Sequence, residues 1–214
     1  MKIIVAFVMM LLCVSISYFY FFSNFEIGYN KNLITKPTIA NTIKNNCIHK
    51  MNGYAKNAHA FVHKNDYDTN VCFLIDMQQP SGKKRFFIYD FANGSVSHSG
   101  LVTHGGGSVT NSVTLVFNNV PNAHATSLGK YKVGQKYQGK FGTAYKLYGL
   151  ENSNSKAFDR FVVLHAHACV PNKDIYPAQL CTSHGCPTVS PSFLNILEPY
   201  LYNSTKPILL WIYY

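Results

Sequence analysis

The chain has 214 residues, 47% of them hydrophobic and only 13% charged, with 15 Tyr and 15 Phe. That is enough apolar mass for one domain with a real core, and too little charge for a disordered chain. The formal net charge of +10 suits an anionic partner, but the basic residues are scattered and Lys83-Lys84-Arg85 is a short run. With no basic helix and no aromatic RNA-binding signature, nucleic acid is set aside, and an anionic membrane or wall polymer remains.

In chain order, Met1-Lys2 is followed by an apolar run over residues 3–22, broken only by Ser15 and Ser17. A positive start and a stretch of about 20 apolar residues read as a secretory signal or an uncleaved signal anchor. No small-x-small cleavage site follows, which favours the anchor. Residues 23–44 are assigned as a linker and residues 45–214 as the domain. A helical pattern already begins at residue 41 and runs to 64, with Ile43, Cys47, Met51 and Tyr54 recurring at spacings of three and four.

Strand signals then take over. Residues 71–77 are an apolar run, and residues 85–91 and 96–103 are joined through Asn93-Gly94, a strong hairpin signal. Residues 113–118, 143–150, 161–168 and 208–213 read as further strands. Between the last two, Ser190 caps a helix that has Pro191 just inside it and Phe193, Leu194, Leu197 and Leu201 on one face. Many short strands and few helices predict a mainly β domain, a β-sandwich or partly closed barrel, behind the N-terminal signal or anchor helix.

Chemistry concentrates near Ser183-His184-Gly185-Cys186-Pro187. A thiol is weakly ionised at neutral pH and needs an imidazole or positive potential to react. The glycine allows a sharp turn that brings main-chain N–H groups toward a substrate carbonyl. Upstream, strand alternation places His165 and His167 on one face, so either can be the base. Zinc is the competing reading, since His165, His167, Cys169, Cys181, His184 and Cys186 are ligand types at short spacing. They match neither Cys-x-x-Cys nor His-Glu-x-x-His, so no metal is expected. The loop Thr103-His104-Gly105-Gly106-Gly107-Ser108 lacks the Lys-Ser/Thr pair of a phosphate-binding loop and no cofactor is expected. Its functional reading is a cleft-lining loop with His104 and Gly105 touching substrate. Export permits disulfides: Cys169 can pair with Cys181, and Cys47 with Cys72, whereas a nucleophilic Cys186 must stay free.

His165, then 17 residues, then Ser183-His184-Gly185-Cys186 resembles the signature of the L,D-transpeptidase (YkuD-type) catalytic domain. The Cys-Pro ending resembles the murein L,D-transpeptidase (YkuD_2-like) subfamily. Ile75-Asp76, Pro80-Ser81, residues 85–90 from Arg85 to Asp90, Val102-Thr103-His104-Gly105, Ser127-Leu128-Gly129, Tyr137-Gln138-Gly139-Lys140, Leu147-Tyr148-Gly149-Leu150-Glu151 and residues 160–165 from Arg160 to His165 agree with it in order. Departures are Pro187-Thr188 where the wider family has Asn or Arg, Ala166 where it has Gly or Ser, and Phe141 where relatives often carry His.

The resemblance implies an exported cysteine acyltransferase of peptidoglycan muropeptides. Cys186 would be nucleophile and His165 base, oriented by the carbonyl of Ala166. Gly185 and Cys186 N–H groups would form an oxyanion hole, and His184 would shape the turn. Ser183, His104, Gly105 and His167 would line the substrate. An L,D-carboxypeptidase or a catalytically silent wall-binding module are the alternatives, and the oligomeric state is open.

Overall fold

The computed structural model describes residues 36–109 and 114–214, with side chains from residue 46 onward. The expected signal or anchor, Cys13 and the first part of the linker lie outside the described residues. The chain divides into two units, Met1–Asn46 and Cys47–Tyr214, and every strand belongs to the second. Among the described residues no helix is long and apolar enough to cross a membrane.

The first helix, α1, spans Lys36–Lys64 and so begins five residues before the sequence pattern does. Its buried side chains Ala55, Ala58 and Val62 continue the spacing of Met51 and Tyr54. The strands are β1 (Val71–Asp76), β2 (Phe86–Asp90), β3 (Ser95–Gly100), β4 (Gly129–Gly139), β5 (Gly142–Gly149), β6 (Val163–Ala166), β7 (Thr188–Val189) and β8 (Leu209–Tyr213). Helix α2, Pro191–Asn203, lies between the last two. The Ser190 side chain accepts the Phe193 N–H, and Phe193, Leu194 and Leu197 are buried, as the sequence predicts. At the β2–β3 turn Gly94 has φ +59, and the Asp90 carboxylate accepts from Asn93.

The strands form one mixed sheet of order β3-β2-β1-β8-β4-β5-β6-β7. The mainly β class expected from the sequence holds. The sheet is open, but it curls until Val102, just past β3, makes a single antiparallel bridge with Val189 of β7. The C-terminal strand β8 is central, parallel to β1 and antiparallel to β4. Its two faces serve two cores, Leu210 and Ile212 joining Phe73, Phe86, Tyr131 and Leu164, and Leu209 and Tyr213 joining Ala58, Cys72 and Leu74 under α1.

Two sequence expectations change. Of the strand expected over residues 113–118, residue 113 lies outside the described residues and residues 114–118 are not strand; N–H groups there reach unrelated partners, Val116 donating to Ser108 and Asn118 to Thr126. The longest strand, β4, escapes apolar patterning because its inward side chains are few and Lys130, Lys132 and Lys136 alternate with them.

Cys169 and Cys181 are disulfide-bonded, with Cα atoms 6.3 Å apart. Cys47 and Cys72 are free thiols, so the second suggested pairing is not made; Cys72 is instead packed in the core under α1. The bonded loop folds onto the segment before β2, with Ile175 and Tyr176 N–H donating to the Gly82 carbonyl and Leu180 N–H to Ser81. Reducing this bond frees a loop closed over 12 residues, which by chain entropy costs about 3 kcal/mol. Thermal melts with and without reductant, and of Cys169→Ser, should both show the drop; equal melting temperatures would show that the loop is held by its hydrogen bonds alone.

Candidate active site

β6 and β7 pair in parallel, with His165 opposite Thr188. Cys186 lies in the loop two residues before Thr188. Its thiol accepts a hydrogen bond from Val163 N–H at 3.4 Å and points at the Phe161 carbonyl at 3.7 Å. The Cys186 loop is tied by its own carbonyl, which accepts from Ser183 Oγ at 2.7 Å and Thr103 Oγ1 at 3.2 Å. Gly185 sits at φ +108, and a Cβ there would come within 2.7 Å of the Ala125 carbonyl, so only glycine fits.

His165 is buried. Its Nδ1 lies 3.1 Å from the Ala166 carbonyl and its Nε2 lies 3.0 Å from Thr188 Oγ1. A carbonyl only accepts, so the proton is on Nδ1 and the lone pair on Nε2, where the Thr188 hydroxyl donates. Among the described residues no hydrogen bond joins His165 to the thiol. Catalytic hydrogen bonds of this kind commonly tighten only when substrate is present.

The electrostatics favour a neutral resting pair. Burial pushes the Cys186 thiol up, opposed by the Val163 N–H and by Arg160. Burial pushes His165 down, opposed by the Ala166 carbonyl and reinforced by His167. Neutral imidazole beside a protonated thiol is the combination in which the ring can take the proton as attack occurs.

His167 falls just past β6 and is exposed; its Nδ1 accepts from Cys169 N–H at 3.1 Å. The structure thus separates the two histidines that strand parity leaves equal. Phe141, in the β4–β5 turn, joins them, stacking on His165 at 5.3 Å and meeting His167 edge-on at 5.4 Å. A cavity of about 290 Å³ opens beside Phe141, Ala166 and His167.

Other predicted residues take different places. His184 is exposed and stacks on His124 at 4.1 Å. Gly185 N–H is engaged by Ser183 Oγ at 3.1 Å, while Cys186 N–H makes no hydrogen bond among the described residues. Gly105 pairs with Ser183 through a bridge and a Cβ on it would run into the His124 carbonyl. His104 does not point at the thiol: Thr103 turns its side chain to Cys186, and the next side chain faces the other way. Among the described residues no group of three His, Cys, Asp or Glu could hold a metal.

Two residues of the stretch 160–165 have roles that were not legible from the sequence. Arg160 binds the carbonyls of Asn118 and Ala125 and the Ser127 hydroxyl, which brings a positive charge near the thiol. Phe161, expected inside a strand over 161–168, precedes β6 at φ +56 and is 78% exposed. The turn made by Val162 N–H on Ala157 and Phe161 N–H on Phe158 forces that backbone and aims its carbonyl at the thiol. A bulky residue there stores roughly 1–3 kcal/mol of strain.

Burial, and then Arg85, pull His104 down from 6.5 to about 4. Its folded value lies below the unfolded one, so the unfolded chain binds the extra proton between them. Stability is full above pH 6.5 and is lost as pH falls toward 4, by about 3 kcal/mol. Melts of the chain across this window should fall with acid, and His104→Phe should flatten the slope; an unchanged slope in the variant would place the acid sensitivity elsewhere.

A free thiol two residues before β7 and a buried imidazole on β6 thus lie at one edge of the mixed sheet. The chain belongs to the L,D-transpeptidase catalytic domain family (YkuD_2), which it matches over residues 40–210. No curated protein sequence matches it. Among solved structures it is similar to the L,D-transpeptidase from Xylanimonas cellulosilytica, at 15% identity over 67% of this chain and 60% of that one, TM-score 0.36. It is also similar to the L,D-transpeptidase from Mycobacterium smegmatis, at 14% identity over 68% and 59%, TM-score 0.39. The helical cell shape determining protein Pgp2 from Campylobacter jejuni is similar at 12% identity over 66% and 46%, TM-score 0.42. The chain therefore spans between 46% and 60% of the length of these three.

Proposed function

We propose that the chain is an exported cysteine acyltransferase of peptidoglycan stem peptides. The observations that support this reading are a buried His165 whose Nε2 lone pair meets the Thr188 hydroxyl and a free Cys186 thiol two residues before Thr188, within a domain of this family.

In the proposed reaction Cys186 Sγ attacks the carbonyl between the L-centre of a diamino acid and the terminal D-alanine, and its proton passes to His165 Nε2. Cys186 N–H, unengaged in the resting state, stabilises the oxyanion; Gly185 N–H joins by releasing Ser183 Oγ. An oxyanion donor of this kind contributes about 2.7–4 kcal/mol. The tetrahedral intermediate collapses to a thioester as His165 protonates the departing D-alanine amine. A side-chain amine of a second stem peptide then attacks the thioester, loses its proton to His165 and restores the thiol, leaving a 3→3 crosslink. Water in place of the amine yields the carboxypeptidase product.

Residues 1–22 carry the chain to or into the membrane, residues 23–44 lead away from it, and residues 45–214 do the chemistry. The Cys169–Cys181 disulfide suits an oxidising envelope compartment and keeps both cysteines from pairing with Cys186. The +10 charge suits an anionic wall polymer. The test is incubation with disaccharide-tetrapeptide and mass analysis of products. Crosslinked dimer with released D-alanine is expected; tripeptide alone would replace transfer by hydrolysis, and unchanged substrate with no carbapenem adduct on a reduced, folded sample would sink the enzyme reading.

A further inference from the structure

The Arg85–His104 pair lies outside the thiol site and has no role in the proposed acyl transfer. Arg85 is 1% exposed and His104 4% exposed, and both line a cavity of about 480 Å³ with Ser81, Tyr176 and Tyr214. Arg85 donates to Val102 O from Nε and Nη2, to Gln79 O from Nη1, and to His104 Nδ1 from Nη2. These bonds use four of the five guanidinium hydrogens and leave one on Nη1. Because Nδ1 accepts, the neutral His104 ring carries its proton on Nε2, and this buried atom has no partner. A buried donor without a partner is costly and calls for an acceptor.

We infer that this cavity is a second binding site, which takes the terminal carboxylate of a small peptide or N-acylated amino acid. Three features choose that chemistry. The two free donors, Arg85 Nη1–H and His104 Nε2–H, call for an acceptor-only group, and a carboxylate offers two oxygens. The charge is favourable: Asp76, the acid that acts on Arg85, is tied to Lys50 Nζ at 3.0 Å, and no ion pair joins Arg85 to a carboxylate among the described residues. One Lys, one Asp and one Arg leave a net single positive charge over the cavity. Finally, no Asp or Glu lines the cavity, so a free ammonium finds no partner and an acylated nitrogen is preferred to a free amino acid. The His104 carbonyl accepts Ser183 N–H at 2.9 Å, so the site abuts the thiol loop through the backbone.

The experiment uses the full Cys186→Ser chain in detergent micelles, so that binding is read without turnover and independently of the acyltransferase reading. Histidine ring nitrogens are labelled and followed by NMR during titration with racemic N-acetylalanine. The His104 ring resonances should move saturably while those of His165 do not. N-Acetylalaninamide should leave them in place, and alanine should bind more weakly than the acetylated acid. Val109→Trp, at the exposed lip of the cavity, and His104→Phe, with folding checked by melting, should each weaken binding about tenfold or more. Equal shifts from the amide, no shift at tens of millimolar acid, or full binding in folded Val109→Trp protein would each overturn the site and leave Arg85 and His104 as a structural pair around water.

Discussion

Cys186→Ala should abolish thioester formation and product release, by about 10⁴-fold or more, while leaving the melting temperature unchanged. The two halves of this expectation come from different atoms of one residue. The side chain makes only a 3.4 Å contact with Val163 N–H and a 3.7 Å contact with the Phe161 carbonyl, and sulfur is a weak donor and a weak acceptor. Its loss therefore costs the fold little. The carbonyl, which alanine retains, holds the loop to Ser183 and Thr103. Cys186→Ser keeps even the shape and should fail as completely, since a hydroxyl lacks the ionisation that His165 can support. Intact-mass analysis after carbapenem treatment measures this directly. An adduct persisting in Cys186→Ala would mean that another cysteine, such as Cys13, Cys47 or Cys72, is the reactive one, and would remove Cys186 from the mechanism.

The second large effect is at His165. His165→Ala should lower kcat/KM by roughly 10²–10⁴, the range of a lost general base. His167→Ala should be far milder, because that ring is exposed and is engaged by Cys169 N–H and Phe141. The pH profile makes the assignment independent of the size of the loss. Because burial lowers His165 and raises Cys186, the neutral pair is competent over a broad plateau. Its acid limb lies below 6.5 and belongs to His165. Its alkaline limb lies above 9.0 and belongs to the thiol. The His167 charge contributes to lowering His165, so His167→Ala should move the acid limb to higher pH while preserving the plateau. An acid limb that disappears in His167→Ala and survives in His165→Ala would exchange their roles.

Local chemistry made much of the chain readable. The β2–β3 hairpin followed from Asn93-Gly94, α2 from Ser190 and Pro191 with an apolar face, and the free state of Cys186 from pairing Cys169 with Cys181. Each depends on residues close in sequence. β4 was hidden because lysines with apolar stems occupy its outward positions, and Lys130 and Lys132 lie over the Trp211 and Tyr148 rings. The strand expected at 113–118, absent over its described residues 114–118, shows the converse: apolar residues there serve an irregular segment whose bonds go to scattered carbonyls. Phe161 reads as strand by composition, yet the preceding turn sets its backbone.

What the sequence determined by itself is the chemistry: a thiol after His-Gly, histidines in a short apolar run, and a spacing that resembles one family. Tertiary structure decided how differently the two histidines are surrounded. Alternation treats His165 and His167 alike, because it knows only one strand. The difference arises when β6 ends at Ala166 and β7, about twenty residues later, lies beside it in parallel. That pairing buries His165 against Thr188 and leaves His167 in solvent. It also depends on β8 filling the centre of the sheet and on the curl that brings Val102 to Val189. The same curl buries Arg85 and His104, nineteen residues apart, around one cavity. Such contacts join segments whose sequences carry no mark of one another, since hydrophobic burial rewards the assembled sheet and not any single strand.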